Sequence, residues 1–303
     1  MRLRLGVTFH SVFYAPYFVA LERGLFKAEG IHLVAQAFGD GRLVLAGLAQ
    51  AELDVGIGGV MRSMLGYDRG EGDLPIHFAR INDRDGFFLL GRSQPFDWPD
   101  LIGRRLILFS EAPTPWYVLR AFLLERGLDP DRISVVDDLP APEAAAAFQA
   151  GQAEFLETPA HIAEALVRDG AAVILREMAR EIGPLPYSSY CARPAYLDQQ
   201  PEAVAALIRA HVAALRWMQA ASGAEIWETI RPSFPDADPE LFSRAVERYQ
   251  RLGVWSSDAT LSRASYDRLA ELLQRGGLIS RVAPYELVCR DELTRGVYAQ
   301  GPA

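Results

Sequence analysis

Cysteine is almost absent from this sequence, with only Cys191 and Cys289 among 303 residues. That number excludes a disulfide framework and a zinc site built from cysteines alone. One long-range disulfide is still open, but two separate buried thiols are the expectation. Histidine is also sparse, and the five histidines form neither an HExxH motif nor a close pair. We therefore expect no metal ion, and because neither a GxGxxG nor a GxxxxGK(S/T) motif occurs, no cofactor is assigned.

Long apolar runs and an excess of positive charge are also missing. No stretch of about 18 apolar residues occurs, so we expect no membrane-spanning helix and no membrane insertion. The 31 Lys and Arg residues are outnumbered by 39 Asp and Glu residues, which gives a net charge of −8. A nucleic-acid-binding protein usually carries a basic cluster that displaces counterions, and none is present here. DNA and RNA are therefore not expected as partners.

The N-terminus lacks the apolar core of a signal peptide. The chain starts MRLRLGVTF, and no apolar stretch of about 7–15 residues or A-x-A cleavage site follows the two arginines. The segment is better interpreted as a β-strand. The sequence as given favours a cytoplasmic protein, and a periplasmic location would require that a leader has been removed.

The most regular feature of the sequence is an alternation of β-like and helical segments. Half of the residues are hydrophobic and 23% are charged, a composition typical of globular proteins. Strands are predicted in a first series at 3–8, 31–37 and 53–57, with helices at 15–29, 42–50 and from residue 61. A second series has strands at 106–109, 133–136, 153–156 and 172–175, with helices at 116–126, 142–150 and 160–168. Such alternation is typical of mainly parallel sheets.

Two extended segments connect these two series. Residues 76–81 and 87–91, separated by a polar turn, lead from the first series to the second. Residues 188–192 lead out of the second series into helices predicted at 200–221, 239–251 and 261–275. We therefore predict an α/β protein with two lobes, a hinged cleft and a helical C-terminal region. Residues 1–90 and 190–303 are assigned to the first lobe, and residues 91–189 to the second.

Several motifs carry a family resemblance that runs in order along nearly the whole chain. The segment YAPYFVALERGLFKAEGI at 14–31 resembles the opening of one group of type 2 periplasmic-binding-protein-like proteins, the aliphatic-sulfonate, nitrate and thiamine-pyrimidine group. Four later segments resemble motifs of the same group: AQAELDVG at 49–56, DLIGRRL at 100–106, GLDP at 127–130 and AGQAEF at 150–155. The resemblance implies the two-lobed type 2 fold. It also implies a substrate-binding protein of an ABC transporter, which binds a small molecule and has an ABC permease as partner.

Candidate ligand-binding residues of the first lobe follow the predicted strands, since ligands of open α/β sheets bind outside the carboxyl ends of the strands. Ser11 could contact a ligand or only cap the next helix, and Asp40 could do so or only form a turn. The glycines after the third strand let backbone N–H groups approach an anionic group, although a tight turn alone would also explain them. The candidates are His10, Ser11, Tyr14, Asp40, Gly58 and Gly59.

Further candidates come from the second lobe and from the extended segment that leads out of the second series. Thr114 could bond a ligand while it helps a helix begin, and Trp116 could stack on a flat ring or lie in the core. A carboxylate at Glu157 would suit an amine or a ring N–H, whereas a solvated turn is the alternative. The candidates are Ser110, Glu111, Thr114, Trp116, Glu157, Tyr187 and Ser188.

An enzyme on the same scaffold is the alternative to a binding protein, because the resembled family includes a few enzymes. Those that make the thiamine pyrimidine carry a Cys-rich run near the extended segment that leads out of the second series, where this chain has only Cys191. They also carry a Lys/His pair in the third helix, which here reads VMRSM at 60–64. A related desulfinase uses a cysteine after the first strand, where this chain has His10. No catalytic residue is therefore assigned, although His10 with Glu111 or Glu157 could serve a decarboxylase or lyase as acid and base.

The chemistry of the ligand is left open by the sequence. The carboxylates of Glu111 and Glu157 suit a cationic or N–H-bearing group, whereas Gly58-Gly59 and the helix that follows suit an anionic group. A zwitterion or a heterocyclic acid would satisfy both.

Overall fold

The computed structural model describes residues 1–300, which contain two five-stranded β-sheets. The first sheet has the strand order β2-β1-β3-β10-β4, and the second has the order β7-β6-β8-β5-β9. The strands are β1 Arg2–Val7, β2 His32–Ala37, β3 Val55–Gly59, β4 Ile76–Arg80, β5 Phe87–Gly91, β6 Arg105–Ile107, β7 Ser134–Val136, β8 Phe155–Pro159, β9 Val173–Glu177 and β10 Ser188–Ala192. This is the predicted α/β fold with two lobes, each built around one sheet.

Each sheet contains one strand that runs antiparallel to both of its neighbours, and each of these two strands follows a segment that connects the sheets. β5 pairs antiparallel with both β8 and β9, and β10 pairs antiparallel with both β3 and β4. The pairs β1–β2, β1–β3, β6–β7 and β6–β8 are parallel. Because β5 belongs to the second sheet and β10 to the first, the sheets divide the chain a few residues before the predicted boundaries at 90 and 189. We propose that the lobe boundaries lie at residues 81–86 and 183–187, between these strands.

These two connecting segments, called the crossings, run side by side. The amide of Ile81 donates to the carbonyl of Ser188 at 2.8 Å, and the amide of Leu185 donates to the carbonyl of Asp83 at 2.9 Å. Two adjacent extended segments that join two lobes can act as a hinge, because a few backbone angles then set the angle between the lobes. The crossings therefore place the hinge at the base of the space between the sheets.

Fifteen α-helices cover the sheets and form the C-terminal region in the described part of the chain. They are α1 Ala15–Glu22, α2 Leu25–Ala28, α3 Gly41–Ala49, α4 Met61–Asp68, α5 Thr114–Leu124, α6 Ala141–Gln149, α7 Ala160–Arg168, α8 Met178–Ile182, α9 Pro194–Gln199, α10 Pro201–Ala220, α11 Gly223–Ile230, α12 Pro239–Arg251, α13 Arg263–Gly276, α14 Tyr285–Val288 and α15 Glu292–Ala299. None of them is long and apolar enough to span a membrane.

The helix predicted at 15–29 is in fact two helices. Gly24 lies between α1 and α2 with a φ of 68°, in the left-handed region that glycine adopts without steric cost. A further helix that was not predicted, α11, begins with a capping box. The Ser222 side chain accepts from the Glu225 amide, and the Glu225 carboxylate accepts from the Ser222 amide.

The C-terminal helices contact both lobes. α12 packs on α7 of the second lobe, where Arg248 forms ion pairs with Glu164 at 2.5 Å and Glu177 at 2.9 Å. α13 packs on α5 of the second lobe, and Arg120 donates to the carbonyl of Gly276 at 2.8 Å. The helical C-terminal region therefore bridges the lobes in addition to the crossings. Cys191 and Cys289 are both buried and unbridged, as predicted.

Candidate functional site: the cleft between the lobes

Two connected cavities lie between the sheets. The inner cavity contains about 390 Å³ of empty space and the outer one about 1350 Å³. Met61, Arg62, Glu111 and Pro113 line both cavities, so the two form one cleft. Both figures include space that is open to solvent, and the inner cavity is the smaller of the two.

The walls of the inner cavity come from both lobes and from the crossings. The first lobe contributes the segment after β1 and the segment from the end of β3 to the start of α4. The second lobe contributes the turn at 111–115, between β6 and α5. Phe87 and Tyr187 stand at the ends of the two crossings and line its base. The cavity is therefore shaped by the angle between the lobes.

Aromatic rings form much of the inner wall. The rings of Phe9 and Tyr14 stack with centroids 4.9 Å apart, and those of Phe13 and Phe87 lie 5.7 Å apart. The ring centroids of Phe87 and Phe109, both in the second lobe, lie 4.7 Å apart. Packed rings of this kind offer a rigid apolar surface to the carbon skeleton of a ligand.

Arg62, the second residue of α4, is the only cationic residue among the described residues that line the inner cavity. Its side chain is largely buried, and among the described residues it forms no hydrogen bond and no ion pair. Burial lowers the pKa of this guanidinium from its usual value, because water is withdrawn from the charge. The negative charge of Asp40 attracts this guanidinium, but the ion pair of Asp40 is with Arg42 at 2.7 Å. An Arg at a helix N-terminus also opposes the helix dipole, so folding alone gives no reason for this placement.

Gly41 makes room for Arg62. A Cβ atom on this glycine, the first residue of α3, would overlap the guanidinium group. The backbone of α3 therefore lies directly against Arg62 and limits the positions that its side chain can adopt. Packing therefore helps to hold the charge in the cleft, since no carboxylate of the described residues lies within ion-pair distance of Arg62.

Glu111 faces the same cleft from the second lobe. One carboxylate oxygen, Oε1, accepts a hydrogen bond from the amide of Ala141 at 3.2 Å. The other oxygen, Oε2, is buried and has no partner in the described structure. Arg62 and Glu111 are not within ion-pair distance of each other, so neither neutralises the other directly.

Hydroxyl groups complete the polar part of the inner cavity. Ser188 donates to the hydroxyl of Tyr14 at 3.3 Å, and Thr8 donates to the carbonyl of Ile57 at 2.7 Å. Burial raises the pKa of Tyr14 to about 12, so this hydroxyl keeps its proton. Thr114 begins α5 at the opposite wall and is buried. These groups can donate or accept hydrogen bonds to a ligand.

A buried acidic cluster lies behind the base of the cleft. Asp85 and Glu157 are each 1% exposed, and Tyr187 donates a hydrogen bond to Asp85. Burial raises the pKa of Asp85 to about 7. Burial, together with the nearby Asp85 carboxylate, raises the pKa of Glu157 well above its usual value. Tyr249 of α12 closes the cluster by donating to the carbonyl of Gly86 at 2.9 Å.

The structure brings eight of the candidates from the sequence to the walls of the two cavities. These are Tyr14, Asp40, Gly59, Ser110, Glu111, Thr114, Tyr187 and Ser188. Ligand contact by these residues stays a prediction, now with a shared location to support it. Arg62 was not among the candidates, although a basic residue at the start of the helix after the third strand was a visible signal.

The other five candidates lie outside the cavity walls. His10 is exposed and bonds the carbonyl of Ser233 at 2.7 Å, and Ser11 caps the turn after β1 by accepting from the Phe13 amide. Trp116 packs against the core of the second lobe. Gly58 precedes the cavity-lining Gly59 on β3, and Glu157 is buried behind the base. No described group of three or more His, Cys, Asp or Glu residues could hold a metal ion.

Two lobes, two crossings and a cleft between them define the class of fold, and solved structures agree. The alkanesulfonate-binding protein SsuA from Xanthomonas axonopodis pv. citri, bound to MOPS, is 18% identical, with 95% of this chain and 98% of that chain covered and a TM-score of 0.76. The periplasmic nitrate-binding protein NrtA from Synechocystis PCC 6803 is 16% identical, with 99% and 89% covered and a TM-score of 0.71. The fold is therefore that of the periplasmic binding proteins.

The sequence assigns the family within this fold. The family described as "NMT1/THI5 like" matches residues 12–222, and the chain belongs to it. The protein named "Putative binding protein YtlA" from Bacillus subtilis (strain 168) is 25% identical over 302 residues, which cover 99% of this chain and 90% of that protein. The family resemblance stated from the motifs is confirmed.

Proposed function

We propose that this chain is a small-molecule-binding protein whose lobes close on a small organic ligand, with an anionic group of the ligand bound by Arg62. The observation that carries this proposal is the largely buried, unpartnered guanidinium in a cleft that both lobes line. Within the protein, the charge of Arg62 is attracted by Asp40 without an ion pair, and a largely buried charge is destabilising unless a close partner compensates it. A bound anion is the partner that this position lacks.

The geometry of the cleft favours an organic anion. A guanidinium group binds carboxylate, sulfonate or a similar planar or trigonal anion through two parallel hydrogen bonds. The stacked rings of Phe9 and Tyr14 can cover an apolar body beside that group. Relatives of this fold bind alkanesulfonate and nitrate according to their names, which agrees with an anionic ligand.

The enzyme alternative has little support from the cleft. Neither Cys191 nor Cys289 lines the two cavities between the lobes, and burial raises the pKa of Cys191 to about 12, which disfavours the reactive thiolate. His10, the proposed acid or base of that alternative, lies outside the cavities and bonds Ser233. Binding without turnover is therefore the function that we propose, and an ABC permease would be the partner that receives the ligand.

The proposal is tested by titrating the full chain with ethanesulfonate, propionate and nitrate in a calorimeter. We expect at least one organic anion to bind to the native protein and not to be converted. Replacing Arg62 by Met should weaken that binding roughly 10- to 100-fold, the usual effect of losing a charge-assisted hydrogen bond. The exposed Arg132 of the second lobe supplies the control, and Arg132→Met should leave the affinity unchanged.

The unliganded variant gives a second readout. Because Arg62→Met removes a buried charge without a partner, its free energy of unfolding should equal or exceed that of the native protein. A variant that binds the anions as tightly as the native protein would reject the proposal, and so would a native protein that binds neither these anions nor their amine-bearing analogues.

A further inference from the structure

The inner cavity carries one charge of each sign. Arg62 comes from the first lobe and Glu111 from the second, and they are the only charged residues among the described residues that line this cavity. They face the cavity from opposite sides, because α4 and the turn before α5 belong to different sheets. A ligand that fills the cavity therefore meets a cationic wall and an anionic wall.

Neither charge is satisfied by the protein. Arg62 has no hydrogen-bond or ion-pair partner among residues 1–300, and the Oε2 atom of Glu111 is buried without one. The hydrogen bond from Ala141 to Oε1 fixes the carboxylate, so Oε2 has a defined position. Ala141 is the first residue of α6, and a carboxylate is favoured at a helix N-terminus. The Oε2 atom of Glu111 is thus a fixed acceptor that can bind a hydrogen-bond donor of a ligand.

Apolar side chains line part of the inner cavity, beside the hydroxyl groups described above. Phe13, Phe87 and Pro113 line the inner cavity together with the Phe9–Tyr14 stack. An ionic group in contact with these side chains would lose its hydration without compensation. The carbon skeleton of a ligand can lie there, with its charged groups directed to the two ends.

We infer that the ligand is a zwitterion, an organic anion that also carries a protonated amine, and that Glu111 selects it by binding the amine. This inference rests on the proposed function, since it takes Arg62 as the site of the anionic group. Ligand binding then compensates both unpaired charges at once and draws the two lobes together. An anion without an amine would leave the Oε2 atom of Glu111 desolvated and unpaired, which costs affinity.

Matched probes test the inference by calorimetry on the full chain. The first pair is 2-aminoethanesulfonate against ethanesulfonate, and the second is 3-aminopropionate against propionate. We expect the amine to increase affinity at least about tenfold in one pair, the effect of one charge-assisted bond. The variant Glu111→Gln keeps an acceptor for the Ala141 amide and should lose that preference, while it still binds the probes that lack the amine.

The exposed Glu143 on α6 provides a matched control, because Glu143→Gln makes the same charge change away from the cleft. It should keep the full preference for the amine. If native protein binds an anion with and without the amine equally well, or Glu111→Gln keeps the preference, the inference is wrong while the proposed function stands. If no probe of either pair binds to the native protein, the inference and the proposed function both fail.

Discussion

The hydroxyl of Tyr187 donates a hydrogen bond to the carboxyl group of Asp85, and this bond joins the two crossings at the base of the cleft. The other oxygen of Asp85 accepts from the amide of Phe87 at 2.7 Å. Tyr187 and Phe87 both line the inner cavity. One buried carboxyl group thus positions two residues of the candidate site and belongs to the hinge itself.

This arrangement predicts a pH-dependent contribution to stability. The pKa of Asp85 is raised to about 7 by burial, whereas an aspartate in the unfolded chain has a pKa near 3.9. Between these values the folded protein binds one proton more than the unfolded chain. The stability from Asp85 is therefore full below about pH 4 and is lost as the pH rises to about 7, with a slope of at most about 1.4 kcal/mol per pH unit.

The variant Asp85→Asn should remove this contribution, since an amide does not titrate. The free energy of unfolding of the variant minus that of the native protein should rise between pH 4.5 and about 7 and then level off. Urea denaturation across that range measures the difference. Asp73→Asn, at an exposed position, is the control and should give a constant difference. A constant difference for Asp85→Asn as well would show that Asp85 titrates normally.

The order of strands and helices could be predicted from the sequence because it depends on local periodicity. The break at Gly24 could not, since an isolated glycine is often tolerated inside a helix and its φ is set by the folded context. The pairing of Phe87–Gly91 with the second sheet was also missed. An extended segment between two lobes has the same pattern whichever sheet it joins.

The candidate site was predicted in location and only partly in composition. The sequence predicts ligand-binding residues after strand ends, and Tyr14 and Glu111 do line the cleft. Spacing along the chain does not determine the direction in which a loop residue points, and His10 is directed to Ser233, more than 200 residues away. Arg62 is not predicted by its position after a strand end, because this residue is already inside α4.

The contact between Gly41 and Arg62 predicts a variant that changes binding without unfolding the protein. A methyl group at position 41 would displace the guanidinium, which is the end of a flexible side chain. Gly41→Ala should therefore reduce the affinity for an organic anion about tenfold, because the displaced Arg62 loses the geometry that its paired hydrogen bonds need. Calorimetry measures the affinity, and the midpoint of urea denaturation should change little.

Gly72 offers the matched control for this variant, because a Cβ atom there would meet open space. Gly72→Ala should leave affinity and stability near native values. If Gly41→Ala binds the anion as the native protein does, then Arg62 does not need its present position and the anion site proposed here would have to lie elsewhere.

The bridge between the lobes predicts a third effect, at the contact between α13 and α5. Gly276 lies so close to the backbone of Tyr117 that a Cβ atom would overlap the Tyr117 carbonyl oxygen. Because both partners are backbone, neither can move without shifting a helix. Gly276→Ala should therefore destabilise the protein by about 1–3 kcal/mol, the usual cost of overpacking.

Gly296, inside α15 and facing open space, separates this effect from helix propensity. Gly296→Ala should stabilise the protein by up to about 1 kcal/mol. Urea denaturation of both variants decides the matter, and equal shifts in the same direction would mean that α13 does not bind tightly to the second lobe.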